Sequence, residues 1–457
     1  MIPPDSWTHE RPVAIDLFAG AGGLSLGLEQ AGFDILVAVD YDPVHAAVHA
    51  FNFPSTVSLC ASAATLKTER LMEAAEHGYR SHHPGSAWNG EVDLVAGGPP
   101  CQGFSTIGKR RVDDARNDLV FHFWRLVNEV RPRYFVMENV PGMAAGAQKD
   151  ILADLVERFR SSGYTLHPQR ILDASLYGVP QARRRLVLIG SRQDVPVAFY
   201  PEPTTRPAQR LRKSGTQLEL SMLPPGPTVS DAISDLPNLD SFAQLLSSDS
   251  VGLSRAELRR CESRASMYAG VLRGSREDTR DLSHPRSWDP QLLTSSARTV
   301  HTSVSIQRFA STLPGTVEPV SRFLRLDPSG LCNTLRAGTG AERGAYTSPR
   351  PIHPMYARVI SVREAARLHS FPDWFRLHAT KWHGFRQIGN AVCPQLGRAL
   401  GGSIVHALDA RLERPKTPLA LGSERLLHLT MNEAAREMGA AQQSMPGGRL
   451  RRASSAA

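Results

Sequence analysis

A chain of 457 residues, 41% of them hydrophobic, can bury a large core and is long enough for two or three domains. No apolar run reaches the ~20 residues that cross a bilayer, and the opening MIPPDSWTHERP lacks the basic-then-apolar order of a signal peptide, so a cytoplasmic protein without membrane association is expected. The formal charge of +9 and pI near 9.6 favour an anionic partner, most often nucleic acid, because each neutralised phosphate releases counterions.

The arginine content needs care. Residues 251 to 350 hold fifteen Arg, no Lys and nine acids, a composition suited to gripping guanine with paired hydrogen bonds. The whole chain, however, has six Lys against forty-seven Arg, so only the local charge excess counts. The five cysteines (60, 101, 261, 332, 393) are odd in number, scattered and without a CxxC pair. Neither a disulfide framework nor a metal site is expected from them.

From residue 13 to about 193 short apolar runs alternate with amphipathic helical stretches: VAIDLF, ILVAVD, DLVAG, YFVMEN and RLVLIG. Strands alternating with helices predict an α/β fold with a doubly wound, mostly parallel sheet. Residues 194–355 break that rhythm with Ser, Pro, Arg and Thr and turn signals such as LPPGPT, and read as a smaller, irregular second domain. The helical pattern returns over 356–410, in VISVREAARLHSF and QIGNAVCPQLGRALGGSIVHAL, and rejoins the first unit. Residues 411–457 form a C-terminal extension whose end, GGRLRRASSAA, has the composition of a disordered tail.

Directly after the first strand comes DLFAGAGGLSLGL, with Gly20, Gly22 and Gly23 between strand and helix, where they permit a tight turn and close approach of backbone to a ligand. Asp40 ends the second apolar run about 20 residues on, where an acid bonds ribose hydroxyls, and Tyr41 offers an aromatic face to a purine. The plainer reading is a sharp connection followed by an acid that caps the next helix. The loop reads GxGG and not GxGxxG, so a cofactor without pyrophosphate, such as S-adenosylmethionine, fits at least as well as a dinucleotide.

Cys101 follows DLVAG and two prolines, which fix the backbone ahead of the thiol and favour a strand-end position over the core. A free cysteine is more often a small core hydrophobe. Here Glu138, at the end of YFVMEN, and Arg183 and Arg185, in QARRR before RLVLIG, fall at strand ends of the same sheet, where such folds place a ligand crevice. A thiol, an acid and two guanidiniums around one pocket suit attack on a ring that must accept electrons.

These motifs resemble the DNA (cytosine-5-)methyltransferase family: DLFAGAGG at 16–23, GPPCQGFS at 98–105, ENV at 138–140, QARRR at 181–185, REAARLHSFP at 363–372 and QIGNAV at 387–392, all in the family's order. The resemblance implies a Rossmann-like fold that binds S-adenosylmethionine, with Cys101 as nucleophile toward cytosine C6. It gives Glu138 the N3 and N4 edge of the base and Arg183 and Arg185 the orientation and electrostatics of the site. It implies a cofactor pocket of Phe18, Gly20, Gly22, Gly23, Leu24, Asp40, Tyr41, Pro99, Leu119, Asn390 and Val392.

Double-stranded DNA would meet Gln102, Ser105, Lys109, Arg110 and Arg111, in or beside the loop at 103–118 that follows the nucleophile, and Arg336 in the target-recognition region at 194–355. Plainer readings remain: Glu138 as a strand-end acid paired with arginine, Arg183 on a phosphate, GNAV as a packing turn. A monomer is expected, paired in function with a cognate restriction endonuclease or acting as an orphan.

Two departures from the family pattern stand out. The run VSLCASAATL offers Ser62 where members often carry an acid for the adenine amino group, and Cys393 replaces the usual proline and is expected to be structural. The rival readings are a tRNA cytosine-5 methyltransferase of the same fold, a non-catalytic DNA-binding relative, and a Rossmann oxidoreductase. The last gives no role to the PPCQ turn.

Overall fold

In the computed structural model, residues 11–100, 118–146, 148–208, 221–338 and 350–440 are described. The first apolar run forms β1 (Val13–Leu17), buried at every position, followed by α1 (Gly23–Ala31) and β2 (Asp34–Asp40). Then come α2 (Pro43–Asn52), β3 (Val57–Cys60), α3 (Thr68–His82), β4 (Leu94–Gly97), α4 (Asp118–Val130) and β5 (Tyr134–Asn139). The strands from β3 to β5 lie in the order β3-β2-β1-β4-β5, and all their pairings are parallel.

Beyond β5 the chain adds α5 (Gln148–Ser161), β6 (Tyr164–Leu166), β7 (Arg170–Asp173), β8 (Gln181–Ala182) and β9 (Arg184–Arg192). The strand predicted from RLVLIG, β9, runs antiparallel to β5, β6 and β7. The connection explains the reversal: α5 carries the chain across to β6, and β9 then returns through the gap left between β5 and β6.

Alternation along the strands sorts residues onto two faces. Ile15, Leu17, Val95, Phe135, Leu186 and Leu188 pack with apolar residues of α3, α4 and α5. Ala14, Leu94, Ala96, Val136, Val187 and Ile189 pack with α1 and the distant helix Pro394–Ala407. That pair of helices is in close contact: a Cβ on Gly27 would lie 2.6 Å from Gly397 Cα, so the small residues of both helices are a packing requirement.

Residues 194–355 hold short pieces, among them the helices Val229–Ile233, Arg255–Arg264, Met267–Arg273 and Ser303–Ser311. Ser254 and Glu257 close a capping box at the second of these, which offsets its low apolar content. A third core joins Leu26, Val48 and Phe53 of the α1–α2 region to Val229, Ile233, Leu253 and Leu293 and to Phe371, Phe375 and Ile388. The irregular segment therefore shares its core with both flanking parts of the chain.

The extension is folded through residue 440. Leu419–Ala420 pairs with Arg286–Ser287, and the helix Met431–Glu437 packs Ala434 against Val44 and Ala47 of α2. The tail GGRLRRASSAA lies outside the described residues. Among the described residues no helix is long and apolar enough to cross a membrane.

Candidate active site

The turn after β1 takes three positive φ values, at Phe18 (62°), Gly20 (58°) and Gly22 (103°), which swing the chain from strand end to α1 within a few residues. Gly22 has a second constraint: a Cβ there would stand 2.4 Å from Phe53 Cε2 and 3.0 Å from His49 Cδ2. At Gly20 a Cβ would meet nothing within 4 Å, so this residue faces open space at the strand ends. The loop is held from below by Asp40, whose Oδ2 accepts from Gly20 N at 2.9 Å while Oδ1 accepts from Asp42 N at 2.8 Å. Asp42, not Asp40, caps α2, accepting from Val44 N and His45 N. Tyr41 is 43% exposed at the same edge.

Behind the loop a buried chain of polar groups runs from β1 to β3. Ser25 Oγ donates to Asp16 Oδ2 at 2.6 Å, His49 Nε2 lies 2.9 Å from Ser25 Oγ, and His49 Nδ1 lies 2.9 Å from Ser58 Oγ. Burial pushes the Asp16 carboxyl up to about 7 and the His49 imidazole down to about 3.

At the neighbouring strand ends, Glu138 on β5 meets Arg185 on β9, with Arg185 Nε 2.5 Å from Glu138 Oε1. Antiparallel pairing brings them together, since Glu138 lies opposite Val187 and Asn139 opposite Leu186. Both side chains are about nine-tenths buried. Glu138 Oε2 would be 3.0 Å from a Cβ on Gly98, which puts the carboxylate against the backbone leading into Pro99 and Pro100. Asn139 Nδ2 donates to Pro99 O at 3.0 Å and anchors that turn. The structure thus brings the ends of β4, β5 and β9 to one place. Cys101, Gln102, Ser105, Lys109, Arg110 and Arg111 lie outside the described residues.

Arg183 is placed differently from Arg185. It is 1% exposed, and its guanidinium donates to Leu335 O (3.0 Å), Gly389 O (3.0 Å) and Ala391 O (2.8 Å). Burial, with Arg185 close by, brings its pKa down to about 9. Arg183 thus clasps backbone from two distant segments, and any effect on a bound base is exerted through them.

His369 completes the clasp. Its Nδ1 accepts from Gln181 Nε2 at 3.0 Å, and its Nε2 donates to Ala391 O at 3.0 Å. Burial and the nearby Arg183 hold this imidazole well below its ordinary pKa, so it is neutral. Gln181 Oε1 in turn accepts from Leu335 N at 3.1 Å.

The segment 390–392 folds beside the first loop. A Cβ on Gly23 would come within 2.4 Å of Val392 O, and Val392 is buried among Leu24 and the helix Pro394–Ala407. Asn390 is exposed beside it, Leu119 is half-buried at the start of α4, and Arg336 is exposed next to Gly389. Ser62 lies just past β3, where its Oγ accepts from Ala64 N at 3.3 Å. Cys393 is fully buried, and burial pushes its thiol up to about 11, as suits a packing residue.

Comparison with known proteins decides the family. The model of C-5 cytosine-specific DNA methylases matches residues 13–406. The chain belongs to that family. This methyltransferase is 50% identical over 430 residues to the type II methyltransferase M.XorII of Xanthomonas oryzae pv. oryzae, covering 94% of this chain and 93% of the relative. It is 31% identical to the type II methyltransferase M.AgeI of Thalassovita gelatinovora, covering 86% and 99%. Among solved structures, a putative DNA modification methyltransferase encoded within a prophage (E. coli) superposes with a TM-score of 0.64 at 31% identity, over 87% of this chain and 99% of that one.

Methylation in this family depends on S-adenosylmethionine, and the residues of the methyltransferase fit that group: an open Gly20 edge, an exposed Tyr41 ring and an acid at Asp40 stand at adjacent strand ends. The sequence reading did not single out Gln181, His369 or Asn139. Each sits inside a recognised motif, but what makes it matter is a contact to a residue 22 to 188 positions away.

Proposed function

We propose that this methyltransferase adds a methyl group to C5 of a flipped-out cytosine in a specific double-stranded DNA sequence. The observation that carries the reading is the Glu138–Arg185 pair at the strand ends, against the backbone that leads into Cys101. Cytosine C6 is out of reach in a stacked duplex, so the base must leave the helix at a cost of a few kcal/mol. The Cys101 thiolate adds at C6, and the electron pair of the C5–C6 bond moves to C5, which becomes nucleophilic. Glu138 bonds the N3 and N4 edge and, when protonated, neutralises the charge that develops at N3. Arg185 fixes that carboxyl in place beside the base.

S-adenosylmethionine, when bound, supplies an electrophilic methyl group to C5. Phe18, Gly20, Gly22, Gly23 and Leu24 line its pocket from below, Asp40 and Tyr41 hold ribose and adenine, and Pro99, Leu119, Asn390 and Val392 close the sides. Ser62 takes the place of the acid that pairs with the adenine amino group. Loss of the C5 proton to a base then pushes the electron pair back and expels the Cys101 thiolate. Arg183 acts as a positioning residue for the site's walls.

Residues 194–355 form the target-recognition region, and Gln102, Ser105, Lys109, Arg110, Arg111 and Arg336 contact the DNA. The type II names of the relatives support a role in restriction and modification, with a cognate endonuclease as functional partner; we propose in addition a cytoplasmic location and action as a monomer. Expression in a bacterium free of DNA methylation, followed by base-resolution mapping of 5-methylcytosine, tests this directly. One methylated motif is expected with the intact chain and none with Cys101→Ala. Methylated tRNA with unmodified DNA would favour the tRNA reading instead.

A further inference from the structure

At the end of the sheet opposite the strand ends just described, Asp34 opens β2 and is 1% exposed. About six residues of strand separate it from Asp40, or roughly 20 Å. Three imidazoles converge on its carboxylate. His284 Nε2 lies 3.0 Å from Oδ1, His82 Nδ1 lies 3.7 Å from Oδ1, and His83 Nε2 lies 3.2 Å from Oδ2. They come from two places: His82 and His83 from the end of α3, and His284 from the irregular segment.

Two of the three nitrogens do not hydrogen-bond the acid they face. His82 Nδ1 is too distant, and His83 Nε2, though near, is buried and out of line for a bond. The ring of His82 is also committed on its other side. Its Nε2 lies 3.1 Å from Ile35 O, a carbonyl that can only accept, so the proton sits on Nε2 and a neutral ring presents the Nδ1 lone pair to Asp34. A lone pair facing a carboxylate oxygen is repulsive unless a cation lies between them. A backbone carbonyl that fixes the outer ring nitrogen is also the usual support of a metal-bound histidine.

We propose that Asp34, His82 and His284 bind a divalent transition metal of the zinc class, with water in the fourth position. The three principal donor atoms lie within 4.8 Å of one another. Donors about 2 Å from a tetrahedral ion are about 3.3 Å apart, and the two histidine-to-carboxylate spacings, 3.0 and 3.7 Å, bracket that value. Two imidazoles and one carboxylate favour zinc, cobalt or nickel over calcium or magnesium.

Arg11 opposes the ion, since its Nε also bonds Asp34 Oδ1 at 2.8 Å. It is itself tied to Leu282 O and Phe33 O, and this keeps its charge on one side of the acid. The effect is moderate affinity. Bound metal would staple α3 and β2 to the loop that carries His284, and so fix the irregular segment to the sheet. Cysteine spacing gives no sign of such a site, because its ligands come from positions 34, 82 and 284.

The test uses the full chain, stripped by dialysis against a chelator and titrated with Zn²⁺ and with Co²⁺ as a spectroscopic probe. One equivalent per chain is expected, with a higher melting temperature and the visible ligand-field absorption of tetrahedral Co²⁺. His82→Gln and His284→Gln should each weaken binding at least ~10-fold. His406→Gln, at an exposed histidine, and Cys101→Ala should leave it unchanged. Retention of the metal by both ligand variants, or its loss in Cys101→Ala, would overturn the proposal. Should the ligand variants fail to fold, the wild-type Co²⁺ spectrum decides alone: an octahedral or absent signal rejects the site.

Discussion

Arg183 and Arg185 are two positions apart and do different work. Arg183 satisfies three buried carbonyls, so Arg183→Lys, which cannot span all three, should cost about 2–5 kcal/mol and lower melting temperature and activity together. Arg185 faces Glu138 at the cleft. Arg185→Lys keeps a positive charge but loses the guanidinium geometry, and turnover should fall about 100-fold with a melting temperature near that of the wild type. Thermal melts and single-turnover methylation on the two variants separate these outcomes.

Asp16 gives a pH signature of definite sign. Burial lifts its folded pKa to about 7, above the ordinary carboxylate value, so the folded state holds a proton that the unfolded state has released. This contribution to stability is complete below about pH 4 and is lost as pH rises toward 7, on the order of a few kcal/mol. Urea titrations at several pH values should show Asp16→Asn to be relatively more stable at pH 8 than at pH 4, compared with the wild type. A constant difference across that range would reject the assignment.

At the scale of elements, the junction of α1 with residues 390–392 is a tight contact beside the glycine loop. Gly23→Ala would push a methyl group into Val392 O, and overpacking of this kind costs about 1–3 kcal/mol. Reduced affinity for S-adenosylmethionine, measured by calorimetry, is the expected readout.

How much of this was legible follows from the same contacts. β1, β2, β4 and β5 were readable because each is a buried apolar run of four to seven residues bounded by turns. β6 and β7 were not, being short and half-exposed, and the reversed direction of β9 depends on which gap in the sheet is left open. Motif order placed Glu138, Arg185 and the glycine loop at strand ends, which is where they stand. It could not separate Arg183 from Arg185, because both belong to one motif and their neighbours lie more than 150 positions apart in sequence from Arg183. It also missed the continuity of core between the irregular segment and its flanks, since burial against a distant helix leaves no periodic trace in short elements.

At the scale of the whole molecule, buried ion pairs fasten the irregular segment to its flanks, Arg367 to Asp235 and Arg286 to Glu29 among them. Arg286 donates from both terminal nitrogens to Glu29 on α1, each bond 2.8 Å, and stacks over Trp374 at 4.9 Å. Arg286→Met strands the Glu29 carboxylate in the interior and should cost about 3–5 kcal/mol. The double change Arg286→Met with Glu29→Leu should recover much of that loss, as a pair of denaturation curves would reveal.

The packing of α1 against Pro394–Ala407 also has a consequence in time. A ribosome adding ~5–20 residues each second needs roughly 20–70 s to pass from α1 to the helix Pro394–Ala407. Through that interval one face of the sheet lacks one of its two covering helices, and the glycine loop lacks the wall supplied by residues 390–392. On the proposed function, the cofactor pocket would close only near the end of synthesis. A nascent chain would then acquire its methyl donor late, after residues 194–355, the proposed target-recognition region, have been made.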